Sequence, residues 1–418
     1  MPTPSLLIVP ARFKTGRLYS QIPTSGAGDF TVTRNTTATR LNSAGVIESV
    51  ASGIPRLDYS VSGFVTGCPA LLVEPAATNS IRNNSNTGAV TGTPGTLPTN
   101  WTETLAGLTR SVIALGAENG VQYIDIRFSG TANATEALIN FESPTQTVAS
   151  NGQVWTNSCF LKSISAPVPY TGLRLSTVER TSGGIFVASG NSPDLTLTST
   201  LNRFSFTRTL SGGGTVARVQ SRISFGLVSG TAYNFTVRIG YPQMELGSAA
   251  TSVIPTTTGT GSRSADVISV SGAVSGSIGQ TEGTFYFDFQ ASPSGSASNW
   301  LNISDGTTNN WLFIGKDSNK CRAYIRANNS VILSDTSFTL TGSSIKAALA
   351  YKSGDYAFYI NSNLIASGTT AFTFSAGFSR MHSGAETPSA VGEISRYRAV
   401  ALYTTRLTNA ELQSLTTP

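Results

Sequence analysis

Charged residues and histidine are scarce in this chain. Of its 418 residues only 12% are charged, and His382 is the single histidine. A Ser–His–Asp triad or a histidine-rich metal site is therefore tightly constrained, because each needs positioned imidazoles. Glycan hydrolysis needs two carboxylates at one site, and the nearest short run, residues 393–396, has Ser395 where the second acid would stand. These absences predict a protein that is not an enzyme.

Cysteines are also few, and they lie far apart. The three, Cys68, Cys159 and Cys321, are odd in number and give neither a disulfide framework nor a metal-ligand spacing. We expect them to be buried thiols in a protein that is assembled in a reducing compartment.

The chain lacks long apolar runs and concentrated charge. No stretch approaches the length of a membrane span, and the N-terminus does not have the regions of a signal peptide. The net charge is +6 and the pI about 9.3, but the 28 basic residues are spread along the whole chain among 22 acidic ones. This distribution predicts a mildly basic surface, with no nucleic-acid binding and no membrane insertion.

The residues that are abundant indicate β-structure. Gly, Ser, Thr and Asn recur throughout, while 39% of residues are hydrophobic and 9% aromatic, enough to build cores. Apolar and polar residues alternate in residues 123–128 and 285–290, as in strands with one wet face, and residues 353–355 suit a tight hairpin turn. One short helix is predicted near the C-terminus, where Thr408 and Glu411 form a capping box. The fold class is therefore predicted to be all-β.

Turn-rich and Thr/Gly/Ser-rich stretches suggest where the segments meet. We predict an N-terminal segment at residues 1–95, a β-sandwich at 96–258, a linker at 259–281 and a second β-sandwich at 282–418.

Two motifs in the first segment carry a resemblance to a known family. Residues 55–59 precede residues 68–79, which contain Pro-Ala-Leu-Leu-Val-Glu-Pro-Ala-Ala-Thr-Asn, and residues 34–48 fit the same pattern. This region resembles the N-terminal region of phage head-spike and tail-fibre proteins. The resemblance implies a segment that anchors the chain to a virion. The residues it nominates for this role are Arg56, Asp58, Tyr59, Leu71, Leu72, Glu74, Pro75 and Asn79.

The other segments carry weaker resemblances. Residues 242–247, 250–256 and 263–266 resemble the end of the carbohydrate-binding-module-like jelly rolls of such proteins, and residues 403–412 resemble the close of a concanavalin/laminin-G-type jelly roll. Together they imply a structural protein on the virion surface, assembled in the host cytoplasm. Its implied partners are phage capsid or tail proteins and a host polysaccharide. A homo-oligomer is expected, with a trimer favoured, and head and tail attachment stay open.

A candidate glycan-binding site follows from the residues of the last segment. Two tryptophans flank the polar loop 302–310, and a basic and aromatic strip follows on one face of the next strand. Aromatic faces hold the C–H surfaces of sugars, and polar groups hold their hydroxyls. The candidate residues are Trp300, Asp305, Asn310, Trp311, Arg322, Tyr324 and Arg326. The alternative is that both tryptophans are core and the strip lies against a neighbouring subunit.

Three further possibilities stay open. Loops at Asp305 and Asp317 offer oxygen ligands that could suit a structural Ca²⁺, although acids are sparse there, and no other cofactor is expected. A secreted carbohydrate-binding lectin is the alternative function. A capsule depolymerase is a third, if two carboxylates from distant strands meet.

Overall fold

The chain is almost entirely β-structure in a computed structural model. The model describes residues 2–59, 67–165, 170–291, 298–342, 344–384, 388, 389, 392 and 394–418. Within them lie 32 strands, one short 3₁₀ helix and one α-helix, which confirms the predicted fold class. None of the helices in these residues is long and apolar enough to cross a membrane. Two compact units form, unit 1 from Met1–Ala76 and Ser264–Pro418 and unit 2 from Ala77–Arg263.

The elements are numbered along the chain. The first part of unit 1 contains β1 (Leu6–Ile8), β2 (Phe13–Lys14), β3 (Arg17–Leu18), β4 (Phe30–Thr33), β5 (Ala38–Leu41), β6 (Ile47–Val50), β7 (Leu57–Asp58) and β8 (Ala70–Val73). Unit 2 contains β9 (Ala77–Asn79), β10 (Thr102–Thr104), β11 (Thr109–Glu118), β12 (Val121–Thr131), β13 (Glu136–Asn140), β14 (Thr147–Val148), β15 (Val154–Ser163), β16 (Gly172–Arg180), β17 (Phe186–Asn191), β18 (Asn202–Thr209), β19 (Arg218–Gly226), β20 (Ala232–Leu246) and β21 (Gly261–Arg263). The second part of unit 1 contains β22 (Val267–Ser271), the 3₁₀ helix (Ala273–Ser277), β23 (Glu282–Ala291), β24 (Ser298–Ser304), β25 (Trp311–Asp317), β26 (Lys320–Ala327), β27 (Ser330–Thr339), β28 (Ser344–Lys352), β29 (Tyr356–Ile360), β30 (Asn363–Gly368), β31 (Arg380–His382), β32 (Ser395–Tyr403) and α1 (Asn409–Leu415).

Unit 1 is a sandwich of two antiparallel sheets. Its first sheet has the order β30-β29-β28-β23-β32-β8-β7, with β1 also paired to β32, and its second sheet has the order β2-β3-β4-β22-β31-β24-β25-β26-β27. Alternate residues of both sheets, such as Phe287 and Val400 from the first and Leu312 and Ile325 from the second, form one core. This is the packing expected when each sheet has one apolar face.

The predicted C-terminal helix is present and has the predicted cap. Thr408 accepts a hydrogen bond from the Glu411 amide, and the Glu411 carboxylate accepts one from the Thr408 amide. Leu407 and Leu412 are buried in a small cluster with Tyr286 and Tyr359 of the first sheet. That packing holds a helix too short to be stable alone.

Unit 2 is also a sandwich. One sheet has the order β10-β13-β19-β16-β17 with β14 beside β19, and the other has the order β11-β12-β20-β15-β18. Ile139 and Ile223 from one sheet meet Ile126 and Phe235 from the other sheet in a single core. The strands β9 and β21, where the chain enters and leaves the unit, pair with each other.

The predicted segment boundaries differ from this division. Residues 1–76 do not form a segment of their own, because Leu6 pairs with Leu402 and Leu71 with Tyr397 in the first sheet of unit 1. The predicted linker 259–281 contains β22, which lies between β4 and β31 inside the second sheet. Pairing between residues almost 400 positions apart leaves no local signal in the sequence, so turn-rich loops were mistaken for domain boundaries.

Candidate glycan-binding surface

The outer face of the second sheet of unit 1 carries an aromatic cluster. Side chains alternate between the two faces of a strand, so Leu312 and Ile314 of β25 enter the core while Trp311 and Phe313 point the other way. In β26, Ala323 and Ile325 are likewise core residues, and Arg322, Tyr324 and Arg326 lie on the outer face. The strip of alternating residues in β26 thus has the orientation predicted from the sequence. Arg380 of β31 lies on the same face, because it is opposite Ser304 of β24, which in turn is opposite Trp311.

The rings of this cluster hold one another in place. Phe313 lies directly opposite Tyr324 in the register, and their rings are stacked with centroids 4.9 Å apart. The Trp311 ring is 4.7 Å from Phe313 and 5.6 Å from Tyr324. Phe313 is almost completely buried, Tyr324 is 8% exposed, and Trp311 is half-buried. The indole of Trp311 is therefore the aromatic face offered to solvent, and the other two rings support it.

Three arginines surround the aromatic cluster. The Arg322 guanidinium lies 5.0 Å from the Tyr324 ring centroid and 5.4 Å from that of Phe313, in cation–π contact. Arg326, opposite Trp311, donates to the Asn329 side chain. Among the described residues, Arg322, Arg326 and Arg380 have no carboxylate within ion-pairing distance. We define the outer-face patch as Trp311, Phe313, Arg322, Tyr324, Arg326 and Arg380.

Gly306 lets Arg380 reach this patch. A Cβ atom at Gly306 would lie 2.6 Å from Arg380 Nη2, and the residue has a φ of +104°. Both the close approach and the positive φ favour glycine at this position. Gly306 thereby leaves room for the guanidinium of Arg380, the first residue of β31, which is an interior strand of the sheet.

The other predicted glycan-binding residues do not belong to the patch. Trp300 has no exposed surface, packs 4.6 Å from the Phe289 ring in the core, and has no face to offer a sugar. Asn310 is also buried and donates to Asp305 and Ser375, which fixes the loop. The Asp305 carboxylate accepts further hydrogen bonds from Thr307. The structure thus brings together four of the seven candidates, namely Trp311, Arg322, Tyr324 and Arg326.

Sequence reasoning missed two members of the patch. Phe313 follows Trp311 by two residues, so strict alternation along β25 would have placed it on the same face. Arg380 comes from β31, which is more than fifty residues further along the chain, and nothing in the local sequence indicates that it joins this face.

Most residues nominated for virion anchoring are buried and build the fold. The side chains of Arg56 and Glu74 are at most 1% exposed, and Arg56 Nη1 lies 2.7 Å from Glu74 Oε2. Arg56 also forms an ion pair with Asp266. Asp266 forms a second ion pair with Arg34, whose Nη1 lies 2.9 Å from Asp266 Oδ1. Burial acts to lower the pKa of Arg56, but the carboxylates of Glu74 and Asp266 outweigh it and raise that pKa. We call Arg34, Arg56, Glu74 and Asp266 the buried ion network.

The rest of the nominated residues have similar structural roles. Asp58 accepts hydrogen bonds from the Leu41 amide and from Arg396, while Leu71 and Leu72 are buried in β8. In unit 2, Asn79 is buried and accepts a hydrogen bond from the Met244 amide. Tyr59 and Pro75 are only half-buried. A contact of this motif with a virion would have to use side chains other than the buried ones.

The cysteines differ in exposure. Cys159 and Cys321 are buried free thiols, as predicted, and burial raises the pKa of each. Cys68 is exposed, which corrects the expectation that all three are buried, because it follows a turn before β8 begins. Within the described residues, no group of three His, Cys, Asp or Glu side chains is placed to hold a metal ion.

His382 also lies on the outer side of the second sheet, but it is buried. It is 1% exposed, and its Nδ1 lies 3.0 Å from the Ser383 carbonyl oxygen. Burial is the main cause that lowers the pKa of His382 below its usual 6.5, and the nearby Arg380 adds to the lowering, while the Ser383 contact opposes it.

Acid should therefore destabilise unit 1 through His382. In the unfolded chain this histidine takes up a proton at a higher pH than in the folded protein, so stability is lost as the pH falls below about 6.5. The measurement is the melting temperature between about pH 7.5 and 5 for the wild type and for His382→Gln. The wild type should lose more stability than the variant over this range. Parallel curves for the two proteins would show that His382 does not contribute.

Comparisons with known proteins add little to these observations. The sequence matches no protein-family model and no curated protein. Among solved structures, the Ruminococcus gnavus IT-sialidase CBM40 is 17% identical, with 34% of this chain and 85% of that one covered and a TM-score of 0.29. The binding domain of botulinum neurotoxin DC, solved with rat synaptotagmin II, is 13% identical, with 36% and 39% covered and a TM-score of 0.31. Domain 4 of an extracellular arabinanase from Geobacillus stearothermophilus, in complex with arabinotriose, is 13% identical, with 40% and 82% covered and a TM-score of 0.30. At such low similarity, function has to be inferred from the side chains themselves.

Proposed function

We propose that this chain is a non-enzymatic structural subunit of a phage particle, and that its β-sandwich units adhere to glycans on the host surface. The observation that carries the glycan-binding part is the outer-face patch of unit 1. There a half-buried indole, Trp311, stands beside the guanidinium groups of Arg322 and Arg326, which have no carboxylate within ion-pairing distance among the described residues.

The patch has the two kinds of group that a sugar needs. The Trp311 ring can pack against the C–H face of a pyranose, with Phe313 and Tyr324 holding the ring in place. Arginine presents several N–H donors in a fixed plane, which suits vicinal hydroxyls and carboxylates. A shallow surface of this kind binds each sugar weakly, so several copies of the subunit, with a trimer expected, would raise the overall avidity.

The virion part of the proposal rests on the motif in residues 68–79 and its likeness to phage spike and fibre proteins. Mass spectrometry and electron cryo-microscopy of purified particles would test it. The proposal expects this chain in the particles, with density projecting from the capsid or the tail. If the chain were recovered only free in the medium, the secreted lectin would replace the virion subunit.

Replacing Trp311 with alanine should weaken glycan binding by about tenfold or more, since the exposed aromatic face is lost. The measurement uses immobilised bacterial surface polysaccharides as the probe, with the purified full chain in solution. Leu364→Ala is the matched control, because Leu364 is 50% exposed on β30 of the other sheet. Binding that is equally strong in the wild type and Trp311→Ala would contradict the assignment of the patch. Release of reducing sugar from the polysaccharide would instead favour a depolymerase.

A further inference from the structure

The outer-face patch collects the arginines of unit 1 that have no acidic partner. Arg322, Arg326 and Arg380 share one face of one sheet, and none of them has a carboxylate within ion-pairing distance among the described residues. Every other arginine of unit 1 except Arg12 is ion-paired, namely Arg17, Arg34, Arg40, Arg56, Arg396, Arg398 and Arg406. The positive charge of the patch is therefore available to a group outside the unit.

The acidic residues of the same strands and of the adjoining loop do not neutralise this charge. Asp305 lies in the loop next to the patch, but its carboxylate accepts a hydrogen bond from the Asn310 side chain. Asp335 of β27 lies opposite Ala323, a core residue, and so belongs to the inner side of the sheet. Asp317 lies at the far end of β25, where it is opposite a lysine. The outer face around the patch is therefore positively charged.

A ligand can reach these guanidinium groups from solvent. Arg322, Arg326 and Arg380 are each half-buried, not buried. Nη2 of Arg322 donates to Ser334 Oγ, which lies 3.3 Å away. Nη2 of Arg326 donates to Asn329 Oδ1, and both of these contacts lie at the exposed surface. Hydroxyl and amide oxygens carry no net charge, so the two bonds orient the guanidinium groups without neutralising them. Each guanidinium has further N–H groups to offer a ligand.

The pairing register places Trp311 between two of the arginines. Arg380 of β31 lies opposite Ser304 of β24. Ser304 in turn lies opposite Trp311 of β25, and Trp311 lies opposite Arg326 of β26. Neighbouring strands are about 4.8 Å apart, so three strand spacings separate the backbones of Arg380 and Arg326 by about 14 Å. This distance exceeds the length of one sugar ring. The row therefore matches an extended chain of several sugars, with the indole between two positive charges.

We propose that the outer-face patch selects acidic glycans, in which successive sugars carry carboxylates or phosphate esters. The inference rests on the proposed glycan-binding function of this patch and names the class of glycan. Arg380 and Arg326 contact acidic groups on either side of a sugar that packs on the Trp311 ring, and Arg322 extends the positive surface along β26. Guanidinium groups suit both anions, because their planar N–H groups can bind two oxygens of a carboxylate or phosphate at once.

Single-stranded nucleic acid is a poorer match for the patch, although it is also a polyanion. Its successive bases stack on several aromatic rings, which must each present a face to solvent. Trp311 is the one half-buried ring of the patch, whereas Phe313 and Tyr324 are buried beneath the surface. One accessible ring with positive charge on both sides favours a glycan.

Acidic polysaccharides and their neutral counterparts test the preference. Polygalacturonate, hyaluronate and polysialate are each compared with the same polymer after reduction of its carboxylates to alcohols, and phosphomannan is compared with mannan. By biolayer interferometry of the full chain, at least one acidic polymer should bind at least about tenfold more tightly than its neutral counterpart. A preference among the carboxylated polymers or for phosphomannan identifies the acidic group. Equal affinity within every pair, no binding of any acidic polymer, or tighter binding of an oligothymidylate than of any of them would overturn the proposal.

Variants assign the preference to the patch. Arg326→Gln should reduce the ratio of acidic to neutral affinity several-fold. Arg12→Gln is the matched control, because Arg12 is an exposed arginine just before β2, at the opposite edge of the same sheet, and it should keep the ratio. Asn329→Asp is the second test, since Arg326 already donates to Oδ1 of this side chain and would there gain a carboxylate of the same size. It should lower the ratio with no fall in melting temperature. An unchanged ratio in either Arg326→Gln or Asn329→Asp would contradict the proposal.

The neutral polymers separate this inference from the glycan-binding proposal. If the wild type bound acidic and neutral forms equally and Trp311→Ala lost both, the patch would remain a glycan-binding site and only its preference for acid would be wrong. Binding that Trp311→Ala leaves intact would overturn the patch itself. Raising NaCl from about 0.05 M to about 0.5 M should weaken binding of the acidic polymer several-fold and leave that of its neutral counterpart nearly unchanged, because salt screens exposed charges. Equal salt dependence of the two forms would contradict the role of the arginines.

Discussion

Replacing Arg56 with methionine should lower the free energy of unfolding of unit 1 by about 3–5 kcal/mol. Methionine has a similar length but no charge, so the substitution leaves the Glu74 carboxylate buried without the guanidinium that lies 2.7 Å from it. Asp266 keeps its ion pair with Arg34 but loses the second one. An unpaired buried charge is costly because it has lost its water and gained nothing in return. Denaturant unfolding followed by fluorescence would measure the change.

The control for this prediction is an exposed ion pair in the same unit. Lys352 lies 3.3 Å from Glu282, and its side chain is 54% exposed. Lys352→Met should cost less than about 1 kcal/mol, since exposed pairs are weakened by solvent. If Arg56→Met lowered the free energy of unfolding by no more than Lys352→Met does, the buried ion network would not be what stabilises the association of the two parts of unit 1.

Residues 264–418 expressed without residues 1–76 should fail to fold. Both sheets of unit 1 need strands from the N-terminal part: β1 and β8 pair with β32 in the first sheet, and β4 pairs with β22 in the second. Without these strands, β32 and β22 become unpaired edge strands, and the apolar core surface that the N-terminal strands cover is exposed. Both changes favour aggregation. Circular dichroism and solubility of the fragment are the measurements.

Two further fragments make this prediction specific. Residues 77–263 alone should fold, because unit 2 has its own core and its entering and leaving strands, β9 and β21, pair with each other. Residues 1–76 joined by a short flexible linker to residues 264–418 should regain the fold of unit 1. A soluble, cooperatively melting fragment of residues 264–418 on its own would contradict this organisation.

Local features of the fold could be predicted from the sequence. Ile124, Ile126 and Phe128 alternate with polar residues, and all three are fully buried in the core of unit 2. The cap formed by Thr408 and Glu411 likewise identified the α-helix. Each of these signals lies within a few residues, where strand alternation and helix capping act.

Long-range features could not be predicted in this way. Arg56 and Asp266 are 210 positions apart in the sequence, and nothing near either residue shows that they pair. The same limit explains why the motif in residues 68–79 suggested a separate anchor. Its strand, β8, is completed by β32 from the other end of the chain.

The candidate site shows how one irregularity can mislead. Trp300 and Trp311 looked equivalent on either side of a polar loop, but the register of β24 shifts between Asn299 and Leu301. A β-bulge of this kind breaks the alternation, so that Trp300 and Leu301 both lie in the core. β25 and β26 pair without such a shift, and there the predicted faces of Arg322 and Tyr324 are the observed ones.

Hydroxyl-radical footprinting of the four tryptophans would test the assignment of glycan binding to the outer-face patch most directly. Trp311 is half-buried, whereas Trp101, Trp155 and Trp300 are at most 6% exposed. With a bound bacterial polysaccharide present at saturation, oxidation of Trp311 should slow several-fold while the other three stay unchanged. Unaltered oxidation of Trp311 in the presence of bound polysaccharide would show that the glycan binds elsewhere on the chain.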